Sequence, residues 1–120
     1  MKIEKFEDIK AWQKAREFVK EIYILTNKGK FSKDFGLKDQ VRRASVSIMA
    51  NIAEGFDSQS DQEFKKYLGY SRRSATEVLS HLYVALDQKY ITDQKFDALK
   101  TEITEIKQLI GGFIRYLRKE

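Results

Sequence analysis

The sequence predicts an all-α protein, an antiparallel up-down-up-down four-helix bundle. Four segments carry apolar residues at intervals of three or four, the connections between them are short, and no segment has the strict alternation of a β-strand. Because helices joined by short loops pack against their chain neighbours in antiparallel pairs, four such segments form a bundle. We predict helices over about residues 8–26, 36–54, 61–89 and 93–118, within a single domain of residues 1–120.

The first helix is predicted to begin at Asp8, a residue type that caps helix N-termini. Its apolar face consists of Ile9, Trp12, Ala15, Val19, Ile22 and Leu25. Residues 27–35 form the first loop, in which Ser32 or Asp34 can cap the second helix. We expect that helix to end at Gly55, because glycine tolerates the left-handed conformation that follows many helices.

The third helix is predicted to begin after Ser60, which forms a capping box with Glu63. Its apolar face consists of Phe64, Leu68, Ser71, Ala75, Val78, Leu82 and Ala85. The fourth helix has the clearest heptad pattern, formed by Phe96, Leu99, Ile103, Ile106, Ile110, Phe113 and Leu117. The pair Gly111 and Gly112 within it marks either a close helix contact or a weak point of the helix.

The second helix has two different faces and a third apolar group. The first face is an apolar row of Leu37, Val41, Ala44, Ile48 and Ile52. The second is a polar row, roughly 100° away around the helix, of Gln40, Arg43, Ser47, Asn51 and Glu54. On the far side, Val46, Met49 and Ala53 are apolar again. Since one small bundle cannot cover both apolar sides, we predict that these three residues form a subunit interface.

The polar row is predicted to face the third helix, where Tyr70, Ser74, Glu77 and His81 share one side. A turn centred near residues 57–58 places Ser47 beside Tyr70 and brings Arg43 to Glu77. The interpretation is a structural polar network in which Arg43 and Glu77 form a partly buried ion pair. On this basis, Glu77→Ala should destabilise the protein more than Glu102→Ala.

The composition argues against catalysis and metal binding. The chain has no Cys and a single His, so it lacks the ligands of common transition-metal sites. Ser47, Ser71 and Ser74 have no His within one helical turn, and no glycine-rich phosphate loop is present. We therefore predict no catalytic residue, no metal and no cofactor. The first ten residues contain no apolar stretch typical of a signal peptide, so we expect a cytoplasmic protein without a membrane span.

Basic residues are the remaining candidates for a binding function. The chain has 23 Lys and Arg against 18 Asp and Glu, a net charge of +5. Candidate nucleic-acid-binding residues are Arg42, Arg72, Arg73, Arg115, Arg118 and Lys119. The alternative is that one arginine of each adjacent pair bridges a carboxylate while the other is solvated.

Three segments carry a family resemblance: FEDIKAWQKA at residues 6–15, DQVRRASVSIMANIAEG at 39–55 and EVLSHL at 77–82. They resemble the four-helix-bundle family of 23S rRNA intervening-sequence proteins, also labelled S23 ribosomal proteins. Met49 stands where the family commonly has Pro, which implies a straighter second helix. The resemblance implies a ring of five subunits. Relatives that accompany diversity-generating retroelements imply RNA and a reverse transcriptase as partners.

The leading functional hypothesis is a non-enzymatic homo-oligomeric scaffold that binds the backbone of RNA or DNA. The main alternative is a protein-interaction scaffold with no nucleic-acid role, and an unrecognised nuclease is a third. Phosphate contacts release counterions, so salt dependence separates the first two. Replacing Arg42 and Arg72 with Gln is predicted to weaken nucleic-acid binding and to flatten its salt slope.

Overall fold

The computed structural model describes residues 3–118, which contain four α-helices and two short 3-10 turns. The helices are α1 (Lys10–Thr26), α2 (Phe35–Asp57), α3 (Asp61–Asp87) and α4 (Asp93–Arg118), and the 3-10 turns are Phe6–Asp8 and Gly29–Lys33. No strand occurs in this part of the chain. The prediction of an all-α four-helix bundle is confirmed, and the molecule is elongated, with extents of 47 × 22 × 19 Å.

Each helix packs against its neighbour along the chain, and α1 also contacts α4, which closes the bundle. The contact between α2 and α3 is the most extensive, whereas that between α1 and α4 is the smallest of the four. Small side chains explain the extensive contact between α2 and α3. Ala44, Ser71 and Ala75 are buried on the facing helices and allow a close approach.

The start of α1 differs from the prediction. Asp8 lies in the preceding 3-10 turn, where its Oδ2 accepts hydrogen bonds from the backbone N–H groups of Glu4 and Lys5, both at 3.2 Å. The residue before α1 is Ile9, which provides no side-chain cap. The prediction that Asp8 caps α1 is therefore wrong. The Asp8 carboxylate instead closes the 3-10 turn that precedes the helix.

The N-cap residues of α2 and α3 are those predicted, but the predicted Ser60–Glu63 capping box is only half formed, because Ser60 N donates to Ser58 Oγ at 3.4 Å and not to the Glu63 side chain. Asp34 Oδ1 accepts a hydrogen bond from Leu37 N at 3.1 Å, and Ser60 Oγ accepts one from Glu63 N at 3.3 Å. Asp34 has a second partner, since the Tyr90 hydroxyl donates to its Oδ2 at 2.9 Å. This hydrogen bond raises the pKa of Tyr90. Asp34 thereby links the start of α2 to the segment that follows α3.

The predicted end of α2 at Gly55 is wrong. The helix continues through Gly55 to Asp57, and Gln59 takes the left-handed conformation, with φ of 58°. The end of α3 is similar, with Lys89 at φ of 61° and Tyr90 N donating to Ala85 O at 2.9 Å. Both turns therefore place a side chain where glycine is usually found. Gly55 has a different role, which is packing against α3.

Most of the predicted core is confirmed. All predicted apolar positions of α2 and α3 are buried, and on α4 only Phe113 is half-buried, with Ile114 buried in addition. The α1 stripe is rotated from the prediction: Phe18 and Thr26 are buried, whereas Trp12 and Val19 are half-buried. A threonine can lie in this core because its hydroxyl donates to Ile22 O at 2.7 Å.

Candidate functional site

A seam of small polar side chains joins α2 to α3. Ser74 Oγ donates to Ser47 Oγ at 2.9 Å, and Asn51 Nδ2 donates to the same oxygen at 2.9 Å. Ser71 Oγ donates to the backbone oxygen of Ile48 at 2.7 Å, within the core. The observed network thus contains Ser47, Asn51 and Ser74 from the predicted one. It also contains Ser71, which the sequence placed on the apolar face without a polar role. These bonds fix how α2 and α3 align.

The alignment differs from the predicted one because α2 continues past Gly55. The turn moves toward residues 58–60, so Ser47 lies against Ser74 instead of Tyr70. Arg43 Nε bonds Asp39 Oδ2 on its own helix at 2.8 Å, with the Arg43 side chain 79% exposed. Glu77 Oε2 lies 3.5 Å from His81 Nε2 without hydrogen-bond geometry. The predicted Arg43–Glu77 pair is therefore wrong.

The other predicted network residues lie outside the seam. Gln40, Glu54 and Tyr70 are exposed, and their side chains form no hydrogen bond with any other described residue. The Tyr70 ring instead packs edge-on against Tyr67, with centroids 5.7 Å apart. The network is consequently shorter than the polar row and is confined to positions where small side chains bring the two backbones together.

A cluster of acids lies between α1 and α4. Burial, together with a hydrogen bond and charge repulsion from Glu21, raises the pKa of Glu102 to about 7. Lys95 Nζ lies 3.4 Å from Glu21 Oε1 and partly offsets this repulsion. At neutral pH the Glu102 carboxyl group is therefore partly protonated. Burial and the nearby Glu21 disfavour the charged form of Glu102, and the Glu77 side chain is 59% exposed. The prediction that Glu77→Ala destabilises the protein more than Glu102→Ala therefore no longer has a structural basis.

Arg42 is half-buried and is hydrogen-bonded to the end of α1. Its Nε donates to Thr26 Oγ1 at 2.8 Å, and its Nη2 donates to Asn27 Oδ1 at 2.9 Å. The guanidinium carbon lies 4.2 Å from the centre of the Tyr23 ring. With Nε and Nη2 hydrogen-bonded and one face covered by Tyr23, Arg42 connects α1 to α2. The structure gives this predicted nucleic-acid-binding residue a structural role.

Arg72 and Arg115 meet over the backbone of α4. A Cβ atom built on Gly111 would lie 3.5 Å from Arg115 Nη1 and 3.7 Å from Arg72 Nη1, so both guanidinium groups approach the same point. Lys107 lies one turn before Gly111. Its Nζ donates a hydrogen bond to Thr76 Oγ1 at 2.9 Å. We call this surface the basic groove; it is lined by Arg72, Thr104, Lys107, Gln108, Gly111 and Arg115 and encloses about 300 Å³.

The basic groove carries three cations without a balancing anion. Within residues 3–118, no carboxylate lies within 4.0 Å of Arg72, Lys107 or Arg115, although ion pairs of this length occur elsewhere in the same residues. Adjacent positive charges repel, so the arrangement favours an anionic ligand. Lys107 was missed because it stands alone in the sequence. The spacing of four between Lys107, Gly111 and Arg115 is the signal that could have identified it.

The remaining predicted basic residues are not brought into this groove. Arg73 is exposed beside Arg72 but does not line the cavity. Arg118 ends α4, and Lys119 lies outside the described residues. Gly111 and Gly112 are not a place of close helix packing, because the atoms nearest to a Cβ built on either are guanidinium nitrogens at 3.5–3.8 Å, an ordinary van der Waals distance.

The third face of α2 is only partly covered. Val46 is 38% exposed, while Met49 and Ala53 are half-buried. Their role in a subunit interface stays a prediction. In the described residues, no group of three or more His, Cys, Asp or Glu is placed to hold a metal ion. No helix there is long and apolar enough to cross a membrane.

The fold and the groove together define a four-helix-bundle protein whose distinctive surface is cationic. Comparison with known proteins shows the family: the chain belongs to the 23S rRNA-intervening sequence proteins, whose profile matches residues 7–112. Among solved structures, it is similar to a protein of unknown function from the S23 ribosomal protein family of Bacteroides thetaiotaomicron. The TM-score is 0.80 at 27% identity, over 88% of this chain and 95% of that one. No curated protein matches the chain. The predicted family resemblance is confirmed.

Proposed function

We propose that this protein is a non-enzymatic, homo-oligomeric scaffold that binds the phosphate backbone of RNA or DNA through the basic groove. The observation that carries the proposal is the meeting of Arg72 and Arg115 over Gly111, with Lys107 beside them and no described carboxylate within 4.0 Å. The family name, 23S rRNA-intervening sequence protein, is in keeping with a nucleic-acid setting.

The chemistry of the groove suits a phosphodiester. Arginine offers a planar fork of donors that matches two phosphate oxygens, and lysine adds a point charge. The groove also contains Thr104 and Gln108, whose side chains can donate to phosphate or to a sugar hydroxyl. Phosphate contacts position a protein on nucleic acid without reading its sequence, so the proposed binding is directed at the backbone and independent of sequence.

Replacing Arg72 and Arg115 together with Gln is expected to weaken binding to an RNA hairpin and to reduce the slope of log K against log salt by about one to two units. Each lost phosphate contact removes about 0.7–0.9 of a unit. Fluorescence anisotropy over a series of salt concentrations measures both effects. The matched control is Lys28→Gln with Lys30→Gln, which removes the same charge in the loop between α1 and α2, at the other end of the bundle.

The control separates a site from a general charge effect. If both double variants weaken binding equally and change the slope equally, the groove is not the binding site. If neither the wild-type protein nor the variants show a salt-dependent affinity, the protein does not bind nucleic acid. The protein-interaction scaffold would then be the remaining hypothesis. Circular dichroism should show equal helicity in all variants, because the substituted side chains are not part of the core.

Assembly is the second part of the proposal. We expect the protein to form a closed homo-oligomer through Val46, Met49 and Ala53, with five subunits as the family resemblance implies. Val46→Glu should dissociate it, because the substitution places a charge in an apolar interface. Val84→Glu is the control, since Val84 is 45% exposed compared with 38% for Val46 and lies on α3. Light scattering that gives 14.1 kDa for the wild-type chain would contradict the proposal.

A further inference from the structure

A second cavity lies at the end of the bundle where α2 turns into α3, and it has a different chemistry from the basic groove. It encloses about 730 Å³. Four aromatic side chains form its wall, and three carboxylates line it as well. We call it the aromatic pocket; its wall consists of Phe56, Phe64, Phe113 and Tyr116, and its acids are Glu4, Asp57 and Asp61.

The aromatic wall is continuous. Ring centroids are 6.0 Å apart between Phe56 and Phe64, 5.2 Å between Phe64 and Phe113, and 5.8 Å between Phe113 and Tyr116. The rings meet at steep angles, so the wall presents both faces and edges. Tyr116 is 56% exposed at the mouth of the pocket. Aromatic faces attract cations, and they do so more strongly where water is partly excluded.

The acids of the pocket have no cation close to them among residues 3–117. No Lys, Arg or His in this range lies within 4.0 Å of the carboxylates of Glu4, Asp57 or Asp61, on a chain whose net charge is +5. Asp61 stabilises the first turn of α3, because a negative charge is favourable at a helix N-terminus. Asp57 is in the last turn of α2, where a negative charge is unfavourable. The fold therefore does not explain Asp57.

We infer that the aromatic pocket binds an arginine side chain presented by a basic segment of a partner protein. Arginine combines the two properties that the pocket selects: its guanidinium stacks on aromatic rings, and its donor fork pairs with carboxylates. An uncharged apolar segment would leave the acids desolvated without a partner, which is costly. The inference does not depend on nucleic-acid binding, since it involves neither the basic groove nor its residues.

The probe is the blocked peptide acetyl-Gly-Arg-Gly-amide, titrated into the ¹⁵N-labelled full-length protein and followed by NMR. We expect saturable shift changes confined to the amides of residues 56–64 and 113–117, with affinity in about the millimolar range for a single side chain. The peptide with Gln in place of Arg should cause none, and the peptide with Lys should bind more weakly, because an ammonium group stacks less well on aromatic rings.

Two variants and one control decide the assignment. Asp57→Asn with Asp61→Asn should weaken the peptide by about fivefold or more, as expected for the loss of charge-assisted hydrogen bonds. Tyr116→Leu should also weaken it, and because this side chain is exposed it should leave the fold intact. Asp87→Asn is the control, since Asp87 is likewise in the last turn of its helix but does not line the pocket.

The inference is overturned if the shifts do not saturate, or if they spread over acidic residues throughout the molecule. It is also overturned if Asp87→Asn weakens the peptide as much as the double variant does, or if the lysine peptide binds as tightly as the arginine peptide. Because the readout is peptide binding at the aromatic pocket, it is independent of whether Arg72 and Arg115 bind phosphate.

Discussion

Replacing Gly55 with Ala is expected to destabilise the protein by about 1–3 kcal/mol, the usual cost of forcing a methyl group into a packed contact. A Cβ atom there would lie 2.7 Å from Tyr67 Cβ and 2.9 Å from Phe64 Cδ1. Tyr67 Cβ is fixed to the α3 backbone, so it cannot move aside as a side-chain end could. α2 and α3 would have to separate at this point, although the contact between them is the most extensive in the bundle.

The matched control for Gly55→Ala is Gly69→Ala on α3. No atom lies within 4 Å of the position that a Cβ would take at Gly69. Alanine should therefore stabilise the protein there by about 0.5–1 kcal/mol, because it favours the helix and restricts the unfolded chain. Urea denaturation at a fixed protein concentration measures both. If Gly55→Ala stabilises the protein as Gly69→Ala does, helix propensity and not close packing dominates at Gly55.

Replacing Arg42 with Ala is expected to cost about 2–3 kcal/mol of folding free energy, since several charge-assisted hydrogen bonds and a cation–π contact are lost together. The substitution leaves the buried Thr26 hydroxyl without its donor and exposes the end of α1. Arg43→Ala is the control from the adjacent position. Its pair with Asp39 is exposed, so the cost should be about 0.3–0.5 kcal/mol.

Thermal melts and nucleic-acid affinity, measured on the same two variants, test the role assigned to Arg42. A large loss of stability for Arg42→Ala alone agrees with a structural bridge. If both variants melt alike and Arg42→Ala instead loses affinity for nucleic acid, the side chain belongs to a binding surface, as the sequence first indicated.

Periodicity in the sequence was sufficient to predict the bundle and nearly all of its core on α2, α3 and α4. In these long helices the apolar residues recur at intervals of three or four, because that spacing places them on the one face that is buried. The error on α1 has a local cause: Thr26 is polar by type but satisfies its hydroxyl on the preceding turn, so its burial left no trace in the apolar pattern. Trp12 is apolar by type, yet its size keeps it at the edge of the core.

The candidate site was harder to predict, because it depends on alignment between helices. Treating Gly55 as a helix terminus shifted the α2–α3 register, which misplaced Ser47 beside Tyr70. The Arg43–Glu77 pair was wrong for a different reason, because both side chains are largely exposed and Arg43 bonds Asp39 on its own helix. The sequence indicated Arg72 and Arg115 as basic residues but could not show that they meet at Gly111. It also could not separate Arg42 from them, since the partners of Arg42 lie on another helix, 15 to 19 positions away.

The unequal seams of the bundle have a consequence for how it opens. The α2–α3 hairpin is held by a continuous small-residue contact and buried hydrogen bonds, whereas α1 meets α4 through the smallest contact and across the Glu21–Glu102 pair. The α1–α4 contact is therefore the weakest of the four and the place where the bundle opens at the lowest cost. The folded-state pKa of Glu102, about 7, lies above its value in an unfolded chain. The stabilising contribution of the Glu102 carboxyl is thus fully present below its ordinary pKa of 4.5 and is lost as the pH rises to about 7, so the contact between α1 and α4 is weakest from neutral pH upward.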